Sequence, residues 1–197
     1  MRAAVVATRF FLTVYGWQRR PNGLRTAHTF AEVTKTEYRA DGSSDGESTL
    51  ISWLPSSGTI HIFGAEPGRN YTMDETLAWG ASIGAEVQAT PATEILPELY
   101  DSFLIRRAEL DSGSVLYIMN DHFAQRPNLE TNCIHAVSDL PIALATAPML
   151  DTGLWHGYRA SWAVYEYLRP WFLDPQPVDA PPAAYPLLGA DDESAEE

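Results

Sequence analysis

The segment TAHTFAEVTKTEY, residues 26–38, decides the fold predicted for this chain. Its side chains alternate, so that His28 and Phe30 point one way while Ala31 and Val33 point the other. A period of two residues is typical of a β-strand. The segment therefore predicts a strand that begins near His28 and places this histidine on one face of a sheet.

Neighbouring segments extend this strand into an antiparallel sheet. The run from Ala3 to Tyr15 is rich in valine, phenylalanine and threonine, which favour strands. The polar, glycine-rich segment 39–48 predicts a loop, and TLISWLP, residues 49–55, predicts the returning strand of a hairpin. A shorter strand is expected over TIHIFG, residues 59–64.

Helices are predicted in the rest of the chain. Thr72 and Glu75 have the spacing of a capping box, which predicts a helix from Met73 to about Ile83. Further helices are expected over PELYDSFLIRRAEL, from Cys133 to a stop near Pro141, and over GYRASWAVYEYLRPWF with a break at Pro170; EVQAT and SVLYIM predict strands.

The order of these elements predicts one α+β domain with an antiparallel sheet packed against helices. A chain of 197 residues is long enough for one sizeable core and too short to favour two. We assign this domain to residues 1–173. Residues 174–197 are rich in proline, alanine and acids, so they predict a disordered tail with too little to bury to offset its ordering entropy.

Charge and composition exclude several classes of partner. A formal net charge of -13 repels phosphates, so we expect neither nucleic acid nor an anionic membrane surface as a partner. The sequence contains no stretch of eighteen apolar residues, which predicts no membrane span. A single cysteine allows no internal disulfide, so we expect a cytoplasmic protein. The oligomeric state stays open.

Cys133, the only cysteine, is the candidate nucleophile. Asn132 precedes it and is a preferred helix N-cap, so Cys133 is expected in the first helical turn, where free amides and the helix dipole favour the thiolate. Two alternatives stay open. A lone cysteine is often a small buried hydrophobe, and the Cys133 and His135 pair has a spacing that occurs at zinc sites.

A thiol nucleophile needs a base, and histidine is its usual partner. Of the five histidines, His135 is a poor candidate because residues i and i+2 of a helix point apart, and His122 and His156 fall in loop-like segments. His28 is the best candidate because a strand end is a rigid mount. Its alternative role is a histidine satisfied by a backbone carbonyl at the sheet edge.

The order of a strand beginning HTFAEV, further strands, a tyrosine-containing segment and then NCIHAV resembles the circularly permuted papain-like group. That group includes the lecithin:retinol acyltransferase-like proteins, and it reverses the cysteine-first order of NlpC-type peptidases. The resemblance implies that Cys133 is the nucleophile and His28 the base. The oxyanion formed on the substrate carbonyl would lie near the backbone amide of Cys133 and near Asn132. In that group a third polar residue, often a histidine, usually follows about a dozen residues after the first histidine. Here that position falls near Ala40, where the sequence has no histidine or carboxamide, so Ser52 and His61 are the candidates.

The predicted chemistry is acyl transfer through a thioester, with a peptide-like or acylated small molecule as substrate and no cofactor. Cys133 attacks the carbonyl of an amide or ester, and His28 moves the proton. The alternatives are a non-catalytic papain-like binding or interaction domain and a small zinc-binding protein.

Overall fold

The structure, a computed structural model, is an α+β fold and describes residues 3–19, 26–120, 124, 129–151 and 157–174. The strands of this part of the chain are β1 (Val5–Gln18), β2 (Ala27–Arg39), β3 (Ser44–Ile51), β4 (Trp53–Pro55), β5 (Glu66–Asn70), β6 (Glu86–Ala89), β7 (Thr93–Glu94), β8 (Leu116–Tyr117) and β9 (Glu130–Thr131). The helices are α1 (Met73–Ser82), α2 (Pro97–Asp111), α3 (Cys133–Ser138), α4 (Pro141–Thr146) and α5 (Tyr158–Leu168), and a 3₁₀ turn follows at Arg169–Trp171.

The main sheet is antiparallel and has the strand order β3-β2-β1-β6, with β7 also paired to β1. The strand predicted at His28 is β2, which pairs with β1 along its whole length. In that register Trp17 lies opposite His28, and Gly16 lies opposite Thr29. Cross-strand partners project to the same side of a sheet, so these pairs mark its two faces.

Helices cover both faces of the main sheet. The larger core contains Ala31 and Val33 of β2 together with Ile134 of α3 and Val164 of α5. Trp17 and Phe30 belong to a separate cluster on the other face, where the Trp17 ring lies against α1 near Gly80. The alternation read from the sequence therefore separates two distinct hydrophobic clusters.

A second, smaller sheet continues from the hairpin in the order β4-β5-β8-β9. Its β8 and β9 strands are parallel, and Tyr117 lies opposite Thr131. The strand predicted over residues 59–64 is wrong, because that segment forms bends and the strand is β5, Glu66–Asn70. This sheet leads directly into α3, since β9 is separated from it only by Asn132.

Several predicted boundaries are confirmed and two are corrected. The capping box of Thr72 and Glu75 is present and opens α1. The loop predicted over residues 39–48 is shorter, because β3 already begins at Ser44. Pro141 follows the end of α3 and is also the first residue of α4, a position where the amide hydrogen that proline lacks would have no partner within the helix.

The predicted tail lies outside the described residues from residue 175 onward. No helix within the described ranges is long and apolar enough to cross a membrane.

Candidate functional site

Cys133 occupies the first position of α3, as predicted. The side-chain oxygen of Asn132 accepts hydrogen bonds from the amides of Ile134 and His135, both at 2.9 Å. This cap fixes where the helix begins and therefore where the thiol lies. Cys133 is partly exposed and packs against the larger core, and α3 is only six residues long.

Tyr117 lies near the thiol, and Glu66 lies beside Tyr117. Tyr117 of β8 is opposite Glu66 of β5 and opposite Thr131 of β9, two residues before Cys133. Burial raises the pKa of the Tyr117 phenol well above its usual value, and negative charge at Cys133 and then at Glu66 raises it further. One carboxylate oxygen of Glu66 accepts a hydrogen bond from Ser57 at 2.8 Å, while its other oxygen is buried without a hydrogen-bond partner.

His135, the other histidine of this helix, is held by its own helix. Its Nδ1 atom lies 3.2 Å from each carboxylate oxygen of Asp139 at the end of α3. The described residues contain no group of three histidine, cysteine or acidic side chains arranged to hold a metal ion. The zinc alternative therefore finds no set of protein ligands within the described part of the chain.

His28 is buried in a different network. Its Nε2 atom lies 2.9 Å from the Ser52 hydroxyl, which lies 2.7 Å from the Thr76 hydroxyl of α1. Thr76 in turn donates to the backbone carbonyl of Thr72 at 2.8 Å. The single proton of each hydroxyl fixes the direction of this chain. Thr76 donates to Thr72, Ser52 donates to Thr76, and the His28 ring donates from Nε2 to Ser52.

This network leaves His28 a poor base. With the proton on Nε2, the nitrogen able to accept a proton is Nδ1, which is buried and has no hydrogen-bond partner. Burial lowers the pKa of His28 to about 3. The ring also stacks on Phe30, with centroids 5.3 Å apart, and is neutral near pH 7.

The structure does not bring His28 and Cys133 together. His28 shares its face of β2 with Trp17 and α1, whereas Cys133 packs against the core on the face covered by α3. The Nε2 atom of His28 bonds to Ser52 and its Nδ1 atom has no hydrogen-bond partner, so neither ring nitrogen is hydrogen-bonded to the thiol. The Cys133 and His28 dyad implied by the papain-like resemblance is therefore not formed in this structure.

The other predicted residues divide between the two faces. Ser52 faces the same side as His28, but its contact with the ring belongs to the buried network. His61 is exposed in the segment between β4 and β5 and does not orient His28. Asn132 and Cys133 are adjacent at α3. His122 and His156 lie outside the described residues.

Sequence reasoning missed Thr76, Tyr117 and Glu66. Thr76 is fully buried in α1, and its only sequence signal is a polar residue at the fourth position of a capped helix. Tyr117 comes close to Cys133, and Glu66 to Tyr117, through β5, β8 and β9, whose pairing joins distant segments. No local pattern in the sequence predicts that pairing.

Comparison with known proteins adds no relative: no protein-family model, no curated protein and no solved structure matches this chain.

Proposed function

We propose that this chain is a thiol-dependent hydrolase or acyltransferase with Cys133 as its nucleophile. The supporting observation is the position of Cys133: it is held at the start of α3 by the Asn132 cap, stays partly exposed and lies beside Tyr117. A purely structural cysteine is usually fully buried, whereas a nucleophile must reach its substrate.

The proposed reaction joins the thiol to the carbonyl carbon of an amide or ester. The sulfur–carbon bond forms, the bond to the leaving amine or alcohol breaks, and the thiol proton departs with that leaving group. Water, or an acceptor amine, then attacks the thioester and regenerates the thiol. The substrate class is a peptide-like or acylated small molecule, and His28 has no part in the scheme because it lies on the other face of the sheet.

Alkylation and acylation of the thiol test this proposal. We expect Cys133 to react with iodoacetamide at about pH 6 faster than an unperturbed thiol, whose pKa of about 8.5 leaves it protonated there. We also expect p-nitrophenyl acetate to acetylate the wild-type chain, as measured by intact mass, and Cys133→Ser to abolish the thioester. A wild-type thiol that is alkylated at the ordinary rate and is never acetylated would contradict the proposal.

A second candidate function is a non-catalytic binding or interaction domain. The observation that favours it is the commitment of His28 to Ser52, which leaves the thiol without the imidazole that papain-like catalysis uses. In that case iodoacetamide would alkylate the thiol at the ordinary rate, and p-nitrophenyl acetate would not acetylate it. The same two reagents therefore distinguish the two functions.

A further inference from the structure

The helix α1 covers only part of its face of the main sheet. Trp17, His28 and Phe30 are buried at one end of this face. Farther along β1 and β2, the side chains on the same face are only half-buried. We call these residues the open strip: Phe11, Thr13, Tyr15, Glu32 and Thr34. Contiguous surface with exposed aromatic side chains often marks an interaction site.

The register of β1 and β2 places the open strip on this face. Paired residues of neighbouring strands project to one side, and alternate residues of a strand share a face. The Tyr15 ring stacks on Phe30, with centroids 5.0 Å apart. The successive pairs along the ladder are Tyr15 with Phe30, Thr13 with Glu32, and Phe11 with Thr34. The strip therefore extends the cluster under α1 toward solvent.

The described part of the chain ends beside the open strip. Phe172 forms an antiparallel bridge with Ile95, and both side chains are buried in the larger core. Leu173 therefore points to the opposite face, where it is 53% exposed. Its amide donates to the carbonyl of Glu94 at 3.0 Å, and Glu94 lies opposite Phe11 of the strip. The chain therefore enters residues 175–197 from one edge of the open strip.

The sequence of residues 175–197 contains one segment that suits this strip. Residues 183–188, AAYPLL, carry no charge and include a tyrosine and two leucines. The acids of this region lie at Asp179 and between residues 191 and 197. Glu32 of the strip would repel those acids but not the uncharged segment. A second copy of the same face would bring two Glu32 carboxylates together, on chains that each carry a net charge of -13.

The connection to this segment is long enough to reach the strip. About twelve residues separate Leu173 from Tyr185, and an extended proline-rich chain spans about 3.1 Å per residue, or about 37 Å in all. The strip from Phe11 to Tyr15 is about 13 Å long. Because the segment is tethered, its effective concentration at the strip is on the order of millimolar, so a weak contact is enough to hold it there.

We propose that residues 183–188 dock on the open strip of their own chain, with Tyr185 and the two leucines packed against Phe11 and Tyr15. The prolines and acids on either side of this segment account for the disorder predicted from the sequence of the whole tail, whereas this segment has an aromatic surface on which to bury its side chains. The strip lies on the face of the sheet away from Cys133, so this inference does not depend on the proposed function.

Nuclear magnetic resonance of the full chain tests the docking directly. We expect the backbone heteronuclear NOEs of residues 183–188 to approach those of the sheet, while those of residues 191–197 stay low. We also expect NOE contacts from the Tyr185 ring to the methyl group of Thr13 or Thr34. Heteronuclear NOEs of residues 183–188 as low as those of residues 191–197 would overturn the proposal.

A charge placed in the strip should release the segment. In Thr34→Glu we expect the heteronuclear NOEs of residues 183–188 to fall to those of residues 191–197, because docking would bury the new carboxylate. Thr8→Glu is the matched control, since Thr8 is exposed and pairs with Glu37 on the opposite face of the sheet, and it should leave these values unchanged. A Thr34→Glu chain that keeps the docked values would overturn the proposal.

Substitutions in the tail cover the case in which Thr34→Glu does not fold. Tyr185→Ser, Leu187→Ser and Leu188→Ser, combined in the full chain, should lower the melting temperature by about 2–4 °C. The matched control combines Asp191→Ser, Asp192→Ser and Glu193→Ser, which should shift it much less. Equal melting temperatures for wild type and the first variant would overturn the docking. NOE contacts between two differently labelled chains in a mixture would assign the strip to a second copy and would also overturn it.

Discussion

At the scale of single residues, the proton on His28 determines what this side chain can do. Counting hydroxyl protons places it on Nε2, and the remaining lone pair on Nδ1 is buried. A charged imidazolium there would lose its hydration without gaining a carboxylate partner. His28 therefore contributes to stability as a neutral donor.

The pKa of His28 predicts an acid-dependent loss of stability. Its folded pKa of about 3 lies below the ordinary value of 6.5, so the unfolded chain binds the proton more tightly. The stabilisation is complete above about pH 6.5 and is lost as the pH falls toward about 3, at roughly 1.4 kcal/mol per pH unit. Urea unfolding at several pH values measures this loss.

His28→Gln is the control for this titration, because its amide keeps a donor toward Ser52 but does not titrate. The difference in unfolding free energy between wild type and variant should shrink as the pH falls from about 6 to about 4. The carboxylates titrate in both proteins, so their contributions to the unfolding free energy cancel in the difference. Parallel curves for the two proteins would contradict the assigned pKa.

Ser52→Ala tests the hydrogen-bond chain itself. The substitution leaves the His28 Nε2–H and the Thr76 oxygen without their shared partner inside the core. Leaving a buried donor unsatisfied costs about 1–3 kcal/mol of unfolding free energy, measured in urea. Ser48→Ala removes a hydroxyl contact to Thr34 on the exposed part of the hairpin, and it should cost much less; equal costs would show that the buried chain is not stabilising.

At the scale of elements, the sequence predicts the two faces of β2 but not what covers them. The alternation of His28 and Phe30 with Ala31 and Val33 follows from the pleat, which is local. Whether α3 packs on one face or the other depends on chain segments about a hundred residues away. The cap at Asn132 was predictable because it too is local, and Ser52 was a candidate partner of His28, whereas the contact of Ser52 with Thr76 of α1 was not predictable.

The second sheet shows a stronger limit of local reasoning. The segment of β5 reads EPGRN, and its proline and glycine disfavour strands. The segment TIHIFG contains residues that favour strands more strongly, yet it forms no strand, and Ile60 is its buried residue. Pairing with β4 and β8 outweighs the weak propensity of β5, and no window of sequence contains those partners.

Gly68 of β5 gives a prediction at this scale. A Cβ atom there would lie 2.2 Å from the ring of Trp53, which is fully buried in β4. Gly68→Ala must push this ring away, so we expect a loss of about 1–3 kcal/mol in unfolding free energy. Gly46→Ala on β3 is the control, because the nearest atom to its Cβ lies 3.7 Å away. Thermal or urea unfolding of both variants compares them, and equal stability would contradict the close β4 and β5 packing.

At the scale of the whole molecule, the main sheet separates two chemical environments. On one side, α1 encloses the neutral His28 network with Trp17. On the other side, α3 presents the partly exposed thiol near Tyr117. Because no hydrogen bond from the His28 ring crosses the sheet within the described residues, we expect the stability network and the thiol site to respond independently to substitution.

This independence is the last prediction. His28→Gln should leave the rate at which iodoacetamide alkylates Cys133 at about pH 6 within about twofold of the wild-type rate, because substitutions at distant sites without shared partners behave additively. A large fall in alkylation on His28→Gln, in a protein that still unfolds cooperatively, would show that His28 reaches the thiol in solution. It would restore the dyad that the papain-like resemblance implied.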